Sequence, residues 1–332
     1  MALTARAQAQ PNIALVKYWG KRDAALNLPA SGSMSITLDA LWTRTRVAFD
    51  PALVRDELLL DGAADPAALV RVSHCLDLLR ARAGSALHAR VDTHNNFPTA
   101  AGLASSASGF AALVLAGSTA LGLTLEPREL SILARRGSGS AARSIFGGFV
   151  GMAAGTRADG EDAFATPLLQ AAQWPLCVVV AVTSSHSKAV GSGAGMERSR
   201  RTSPFHAAWL AGADADLASA RHALQHRDFA ELAATSEHSC LKMHAVMLAS
   251  RPALMYWNGA TVECVHAIRA LRERDGVPVF FTIDAGAQVK AVCLPAAAPQ
   301  VAATLGAVVG VERVLTSALG ADARVLTAVE VD

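Results

Sequence analysis

The stretch 95–122 reads N-N-F-P-T-A-A-G-L-A-S-S-A-S-G-F-A-A-L-V-L-A-G-S-T-A-L-G, and it changes character halfway. Its first half holds small residues with Pro98, Gly102, Ser105, Ser106 and Ser108; its second half is an apolar run of helix formers. The pattern predicts a loop that turns into a buried helix. A loop of Gly, Ala and Ser lets a ligand approach the backbone closely. The first N–H groups of a helix lack intrahelical acceptors and carry partial positive charge, and together these features bind phosphate. The hydroxyls of Ser105 and Ser106 add donors, or hold Mg²⁺ through oxygen. A Ser-capped core helix after a turn has the same pattern. The spacing matches neither G-x-x-x-x-G-K-[ST] nor G-x-G-x-x-G.

A chain of 332 residues is long enough for two domains around substantial cores. Its 52% apolar content is that of a globular protein, and a net charge of +2 makes no case for nucleic acid or an anionic membrane surface. Cys75, Cys177, Cys240, Cys264 and Cys293 show no C-x-x-C spacing and read as small buried hydrophobes in a reducing compartment. The N-terminal M-A-L-T-A-R-A-Q-A-Q-P lacks the apolar core of a signal peptide, and no run has the length of a membrane span without Gly, Pro or charge. The expectation is a cytoplasmic protein.

Residues 13–16 read as a short strand, followed at once by Lys17, Tyr18, Trp19, Gly20, Lys21, Arg22 and Asp23. Cations this dense beside two aromatics suit a polyanionic ligand; snorkelling lysines at a strand end are the plain alternative. Residues 33–38, 43–49 and 85–93 read as strands and 67–83 as a helix, with Arg80, Arg82 and Arg90 as solvated charges. A helix over 126–136, opened by Pro127, leads into R-R-G-S-G-S-A-A-R-S. There, 137–140 ends one element and opens the next, so its hydroxyls and N–H groups can meet an anion. Arg143 follows with a planar fork of donors suited to carboxylate or phosphate. Strands are expected over 145–152 and 174–182, with the domain boundary just after, giving domains 1–183 and 184–332. Residues 184–201 read as a long, basic Gly/Ser loop, of a length uncommon unless functional or mobile. Helices follow over 203–249 and 259–274; His222 and His226, four apart without a third ligand, read as a solvated face. Strands at 277–283 and 288–294 flank a tight turn, Asp284-Ala285-Gly286-Ala287, where Asp beside Gly is ordinary turn chemistry. Residues 307–315 and 323–331 look strand-like.

P-T-A-A-G-L-A-S-S-A-S resembles the phosphate loop of the GHMP small-molecule kinases, and its form is most similar to the mevalonate diphosphate decarboxylase branch. N-I-A-L-V-K-Y-W-G-K-R-D with L-N-L-P, the S-G-S segment, K-A-V-G-S-G-A-G-M and T-I-D-A-G supply the branch's other motifs in the expected order, across about the whole chain. The resemblance implies an α/β (α+β) two-domain GHMP-kinase-type fold. Its N-terminal domain is of a ribosomal-protein type with left-handed β-α-β features, its C-terminal domain is ferredoxin-like, and the active site lies in the cleft between them. It also implies a homodimer.

The implied reaction is ATP-dependent decarboxylation of 5-diphosphomevalonate to isopentenyl diphosphate, with Mg²⁺, in the mevalonate pathway. The tertiary hydroxyl is phosphorylated, phosphate leaves, and loss of CO₂ supplies the electrons for the double bond. The implied catalytic residues are Asp284, Lys17 and Arg143. Substrate binding falls to Asn12, Tyr18, Trp19, Lys21, Ser138, Gly139, Ser140, Arg143 and Ser192. ATP falls to Pro98, Ala101, Gly102, Leu103, Ala104, Ser105, Ser106 and Ser108, with Ser106 on the metal. Two positions depart from the branch: Gly193 stands where bacterial relatives often carry Arg, and Ala287-Gln288 replaces Pro-Asn. Gly193 keeps open a decarboxylase of the monophosphate or a bisphosphate. A kinase that stops at phosphorylation is disfavoured by the joint presence of Asp284 and Lys17, and a non-catalytic binding relative by the retained loop serines and Asp284.

Overall fold

The structure is a computed structural model and describes residues 3–97, 104–186 and 188–327. Among these, the strands form three sheets and a short ribbon. The first sheet has the order β16–β1–β6–β9–β7–β8, with β1 (Leu3–Ala9), β6 (Thr43–Asp50), β7 (Glu57–Leu60), β8 (Ala63–Ala64), β9 (His88–Asn95) and β16 (Arg324–Val325). Only β7 and β9 pair in parallel, through the crossover helix α1 (Pro66–Ala83). Local chemistry bounds that helix: Asp65 accepts from the Ala68 N–H, Pro66 opens the first turn, and Gly84 leaves it at φ 62°.

Helices α2 (Ser105–Ala120) and α3 (Pro127–Gly137) pack with α1 on the first sheet and bury Val47, Phe49, Leu76, Leu79, Val91, Phe110 and Val114. The small residues of α2 allow close approach. A Cβ on Gly117 would lie 2.7 Å from Leu79 Cδ1, well inside van der Waals contact.

The second sheet runs β11–β10–β5–β2, with β2 (Asn12–Val16), β5 (Ser33–Thr37), β10 (Phe149–Met152) and β11 (Ala165–Leu169). The third is antiparallel with the order β13–β14–β12–β15: β12 (Cys177–Val182), β13 (Val279–Ile283), β14 (Val289–Cys293) and β15 (Arg313–Ala318). Lys21–Asp23 and Leu28–Pro29, β3 and β4, form the ribbon.

Strand β12 is apolar throughout because both its faces are covered. Val178, Val180 and Val182 join Ile13, Leu15 and Ile36 of the second sheet in one core, while Val179 and Ala181 face a core with Ile268, Val301 and Leu305. Helix α6 (Ala213–His226) contributes to the first of these cores, and α8 (Gly259–Glu273) and α9 (Ala298–Gly306) to the second. Helix α7 (Phe229–Leu248) crosses β13 and β2.

Several expectations change. Strand β12 belongs to the sheet whose other strands lie beyond residue 278, and β16 returns to pair with β1, so a cut after residue 183 divides the third sheet. The stretch 184–201 is not all loop: Ser192–Thr202 is α4, followed by α5 (His206–Ala211). Burial of Met196 and Ser199 against Trp19 outweighs the helix cost of Gly193 and Gly195. The strand expected over 307–315 starts only at Arg313, because the apolar run before it is interrupted at Gly310, φ 90°. Arg80 is not solvated; it grips Asp56 through two bonds of 2.9 Å. Arg82 and Arg90 do sit at the surface, paired with Glu129 and Glu57.

All five cysteines are buried and free. No helix among the described residues is long and apolar enough to cross a membrane.

Burial alone would push the Asp56 carboxyl up, but the hydrogen bonds from Arg80 and from the Ala89 N–H outweigh it and hold it below the usual range. Such a group stabilises the fold at neutral pH and loses that contribution as pH falls through the carboxyl range, ~3.9. Arg80→Leu should cost about 3 kcal/mol at pH 7, as for a broken buried pair. Urea denaturation should show the deficit shrinking towards pH 3; a deficit independent of pH would mean that lost packing, not charge, is responsible.

Candidate active site

The second and third sheets meet where β2 ends and the β13–β14 turn begins. Thr282 Oγ1 donates to the Ala14 carbonyl at 3.1 Å across this junction. Lys17 follows β2 directly: its backbone N–H donates to Ser239 Oγ on α7, and its ammonium donates to the Ala14 carbonyl at 2.8 Å and to Asp284 Oδ1 at 2.7 Å. The other carboxylate oxygen faces Lys290 Nζ at 3.3 Å. The side chains of Lys17 and Lys290 are 1% and 0% exposed, that of Asp284 25%, so the carboxylate alone opens towards the cleft. Burial would raise the Asp284 carboxyl, but the charges of Lys17 and Lys290 outweigh it and hold the group far below the usual carboxylate range.

Arg143 lies in the 3-10 turn Gly139–Ile145. Its Nε donates to Asn12 Oδ1 (3.2 Å) and Ser35 Oγ (3.0 Å), and its Nη1 to Ser33 Oγ (2.6 Å). Asn12 is fixed in turn, its amide donating to the Ser140 carbonyl and to Ser144 Oγ. Burial pushes the guanidinium down to about 10, which leaves it charged at neutral pH. No carboxylate pairs with it among the described residues.

Tyr18 lies beside Arg143 with its hydroxyl buried and without a hydrogen-bond partner among the described residues. Burial pushes that phenol up to about 12, against the pull of Arg143 and Arg135. Gly139 makes room for it: a Cβ there would lie 2.4 Å from Tyr18 Oη.

Three hydroxyls extend from this point to α2. Ser140 and Ser138 Oγ are 3.4 Å apart, as are Ser138 and Ser106 Oγ. Ala104 caps α2 at φ 59°, and Ser105 and Ser106 open it. Pro98, Ala101, Gly102 and Leu103 lie outside the described residues. Lys21 binds Asn27 Oδ1, and burial and then Arg71 push its ammonium down. Ser192 stands in the first turn of α4 and accepts from Lys188 at 2.7 Å; Lys188 also donates to the Ala285 carbonyl at 3.0 Å.

Two expected site residues are buried and hydrogen-bonded within the protein. Trp19 is buried and donates to Ser199 Oγ at 3.0 Å, behind the site. Ser108 is buried against Thr43 Oγ1 at 2.6 Å, anchoring α2 to β6. Four residues escaped the sequence reading. Lys290 is the lone charge in the buried strand V-K-A-V-C, a signal legible in principle. Ser33 and Ser35 alternate on one face of β5. Lys188 lies in the Gly/Ser stretch next to Ser192. His222 and His226 are exposed, with His222 Nδ1 2.7 Å from Glu231, and no group of three or more metal-ligating side chains occurs among the described residues.

The cleft therefore presents buried cations and an unpartnered hydroxyl around one carboxylate, beside a helix N-terminus edged with serines. That donor set fits a polyanion together with a nucleotide phosphate chain.

Comparison with known proteins agrees. Residues 9–165 match the diphosphomevalonate decarboxylase-like N-terminal domain model, and residues 178–327 the mevalonate 5-diphosphate decarboxylase C-terminal domain model. The chain is 38% identical to Aspergillus fumigatus diphosphomevalonate decarboxylase mvd1 over 91% of its own length and 80% of that protein's. It is 36% identical to the Homo sapiens diphosphomevalonate decarboxylase over 84% and 74%. The crystal structure of mevalonate diphosphate decarboxylase from Staphylococcus aureus superposes with a TM-score of 0.92 at 37% identity, covering 98% of this chain and 99% of that one. A structure of MDDEF in complex with MVAPP, AMPPCP and magnesium superposes with a TM-score of 0.91 at 36% identity, covering 99% and 100%.

The orphan hydroxyl of Tyr18 gives a test with two opposed readouts. Tyr18→Phe deletes a buried group that bonds nothing in the free protein, so thermal stability without ligand should hold or rise. Affinity for inorganic pyrophosphate should fall about fivefold, the loss of one neutral hydrogen bond of ~1 kcal/mol. Lower stability with unchanged pyrophosphate binding would make Tyr18 a packing residue only.

Proposed function

The chain belongs to the diphosphomevalonate decarboxylase family, and we propose how its own residues carry that family's reaction. The activity is ATP-dependent decarboxylation of 5-diphosphomevalonate, with Mg²⁺ as the metal. The observation that carries the residue assignment is the 2.7 Å contact between Lys17 Nζ and Asp284 Oδ1, together with a buried Arg143 that has no carboxylate partner among the described residues.

The attacking group is a tertiary alcohol, crowded and weakly acidic. Asp284 accepts its hydrogen bond and so orients it; Lys17 holds the carboxylate ionised and fixed in direction. Phosphoryl transfer depends chiefly on such positioning and on charge stabilisation. Ser105 and Ser106, with the N–H groups that open α2, hold the nucleotide phosphates, and Ser106 is the residue assigned to Mg²⁺. When bound, the metal neutralises phosphate charge. Arg143 offers its free Nη2 to the substrate carboxylate and keeps it ionised until positive charge develops at the tertiary carbon. Tyr18, Lys21, Ser138, Ser140 and Ser192 face the diphosphate.

The five cysteines, buried and free, suit a reducing compartment and support a cytoplasmic placement. The homodimer rests on the family resemblance; a monomer by light scattering at micromolar concentration would remove it.

Asp284→Asn should lower turnover at least ~10²-fold, the lower end for a positioned acid–base group, while KM for ATP stays nearly constant. Supplied with the 3-phosphorylated intermediate, this variant should still release CO₂. Arg143→Lys should be slow with both substrates, because an ammonium cannot copy the fork. If the Asn variant turns over like wild type, Asp284 leaves the mechanism.

Gly193 bears on substrate choice. A Cβ there would meet nothing within 4 Å, so a side chain can leave the backbone at this position without a clash at its first atom. Gly193→Arg should lower KM for 5-diphosphomevalonate about fivefold, ~1 kcal/mol for an exposed charge contact, and change 5-phosphomevalonate less. Assays following ADP and CO₂ separately read this. A wild-type preference for the monophosphate would assign the protein to that substrate instead.

A further inference from the structure

Lys290 is placed by the fold, not by the substrate. It lies on β14 directly across from Thr282 of β13, two residues before Asp284, with its side chain wholly buried. A lysine in that position, on a strand otherwise Val, Ala and Cys, is costly unless its charge is used. Its ammonium lies 3.3 Å from Asp284 Oδ2, while Lys17 takes Oδ1 at 2.7 Å. Two ammonium groups thus converge on one carboxylate, and the trio carries one positive charge.

We propose that Lys290 is a second positioning residue for Asp284: with Lys17 it pins the carboxylate from both sides, and it supplies the surplus positive charge that the phosphoryl group neutralises during transfer. This rests on the assignment of Asp284 to phosphoryl transfer. With one lysine alone the carboxylate could rotate about its own axis and the trio would be a neutral pair. With both lysines the carboxylate keeps a fixed direction, Oδ1 on Lys17 and Oδ2 facing Lys290, and the charge developing on the transferred group meets a cationic wall.

The other titratable groups facing Asp284 are neutral or are cations held by other partners, so among the described residues Lys17 and Lys290 are the two cations in contact with the carboxylate. On α7, burial pushes the His244 imidazole down to about 3 and the Cys240 thiol up to about 11, so both are neutral at working pH. Lys188, before α4, is engaged with Ser192 and the Ala285 carbonyl. Arg143, on the 3-10 turn, is held by Ser33, Ser35 and Asn12.

The test is a double-mutant cycle of Lys290→Met and Asp284→Asn, read in turnover and in stability. In the wild-type background Lys290→Met should lower kcat at least ~10-fold while each KM moves less than ~3-fold, since the interaction is with the transition state. In the Asp284→Asn background the same change should alter kcat less than ~2-fold, because the group it positions is gone.

Stability should cross over. Asp284→Asn removes the carboxylate that both ammonium groups reach and should lower Tm. Adding Lys290→Met should recover most of that loss. The Asn variant should also gain stability with rising pH: a buried lysine whose folded pKa lies below its unfolded value destabilises most when pH is low enough to keep it charged. Lys290→Met should flatten that dependence. Lys290→Gln, neutral but polar, should behave like Met, and it serves as the variant if Met folds poorly.

Equal kcat losses in both backgrounds, or a double variant no more stable than Asp284→Asn, would overturn the proposal. If Asp284→Asn itself turns over normally, the catalytic assignment of Asp284 fails. The crossing in Tm then still reports whether the three charges form one unit.

Discussion

A buried ammonium group costs several kcal/mol unless an anion meets it in good geometry. Lys17 and Lys290 are both buried, and both reach Asp284. Their burial requires the end of β2 to lie against the turn between β13 and β14, strands more than 260 residues away in the chain. The shared core of Ile13, Leu15, Ile36, Val178, Val180, Phe280 and Val292 holds the second and third sheets in that relation. The apolar packing is non-directional; the ion pair selects the one register in which the charges coincide. Helix α7 reinforces it, with Ser239 on the Lys17 backbone and Cys240 on the Ile283 N–H.

The same constraint explains the other wall of the cleft in reverse. Among the described residues Arg143 is buried with neutral partners only, and Tyr18 keeps a hydroxyl without a partner. Both are costs that an anionic ligand removes, so binding energy is stored as incomplete satisfaction in the free protein. Gly139 is the geometric condition for this, since any side chain there would occupy the place of Tyr18 Oη. Ser33 and Ser35 hold Arg143 in a direction that leaves Nη2 free. The row of serines from 140 to 106 then links this wall to the N-terminus of α2, so the proposed substrate and nucleotide sites share one edge.

Much of this was legible in the chain. The strand over 43–49, the helical periodicity over 67–83, the helix opened by Pro127 and the apolar helix after the small-residue stretch are local signals, and the structure reproduces each within a few residues. The N-terminal strand β1 was not anticipated, because its polar composition, L-T-A-R-A-Q-A, suits a strand only with β6 and β16 on either side. Helix α4 was hidden by its glycines and forms because Met196 and Ser199 have Trp19 to pack against. Arg80 reads as solvated from periodicity alone; Asp56, which makes its burial possible, lies outside the helix.

The sequence by itself determined the elements whose signals are short-range: turn residues, caps, strand alternation, the serine-edged helix start and the motifs that carry the family resemblance. It also placed Asp284, Lys17 and Arg143 among the residues of interest. Only the tertiary structure decided which charges meet. It put Lys290 on Asp284, left Arg143 without a counter-ion among the described residues, buried Trp19 and Ser108, and assigned β12 and β16 to their sheets. The reason is physical. Hydrogen-bonded turns and helix faces depend on neighbours within a few residues, whereas the environment of a buried charge depends on atoms brought from distant parts of the chain.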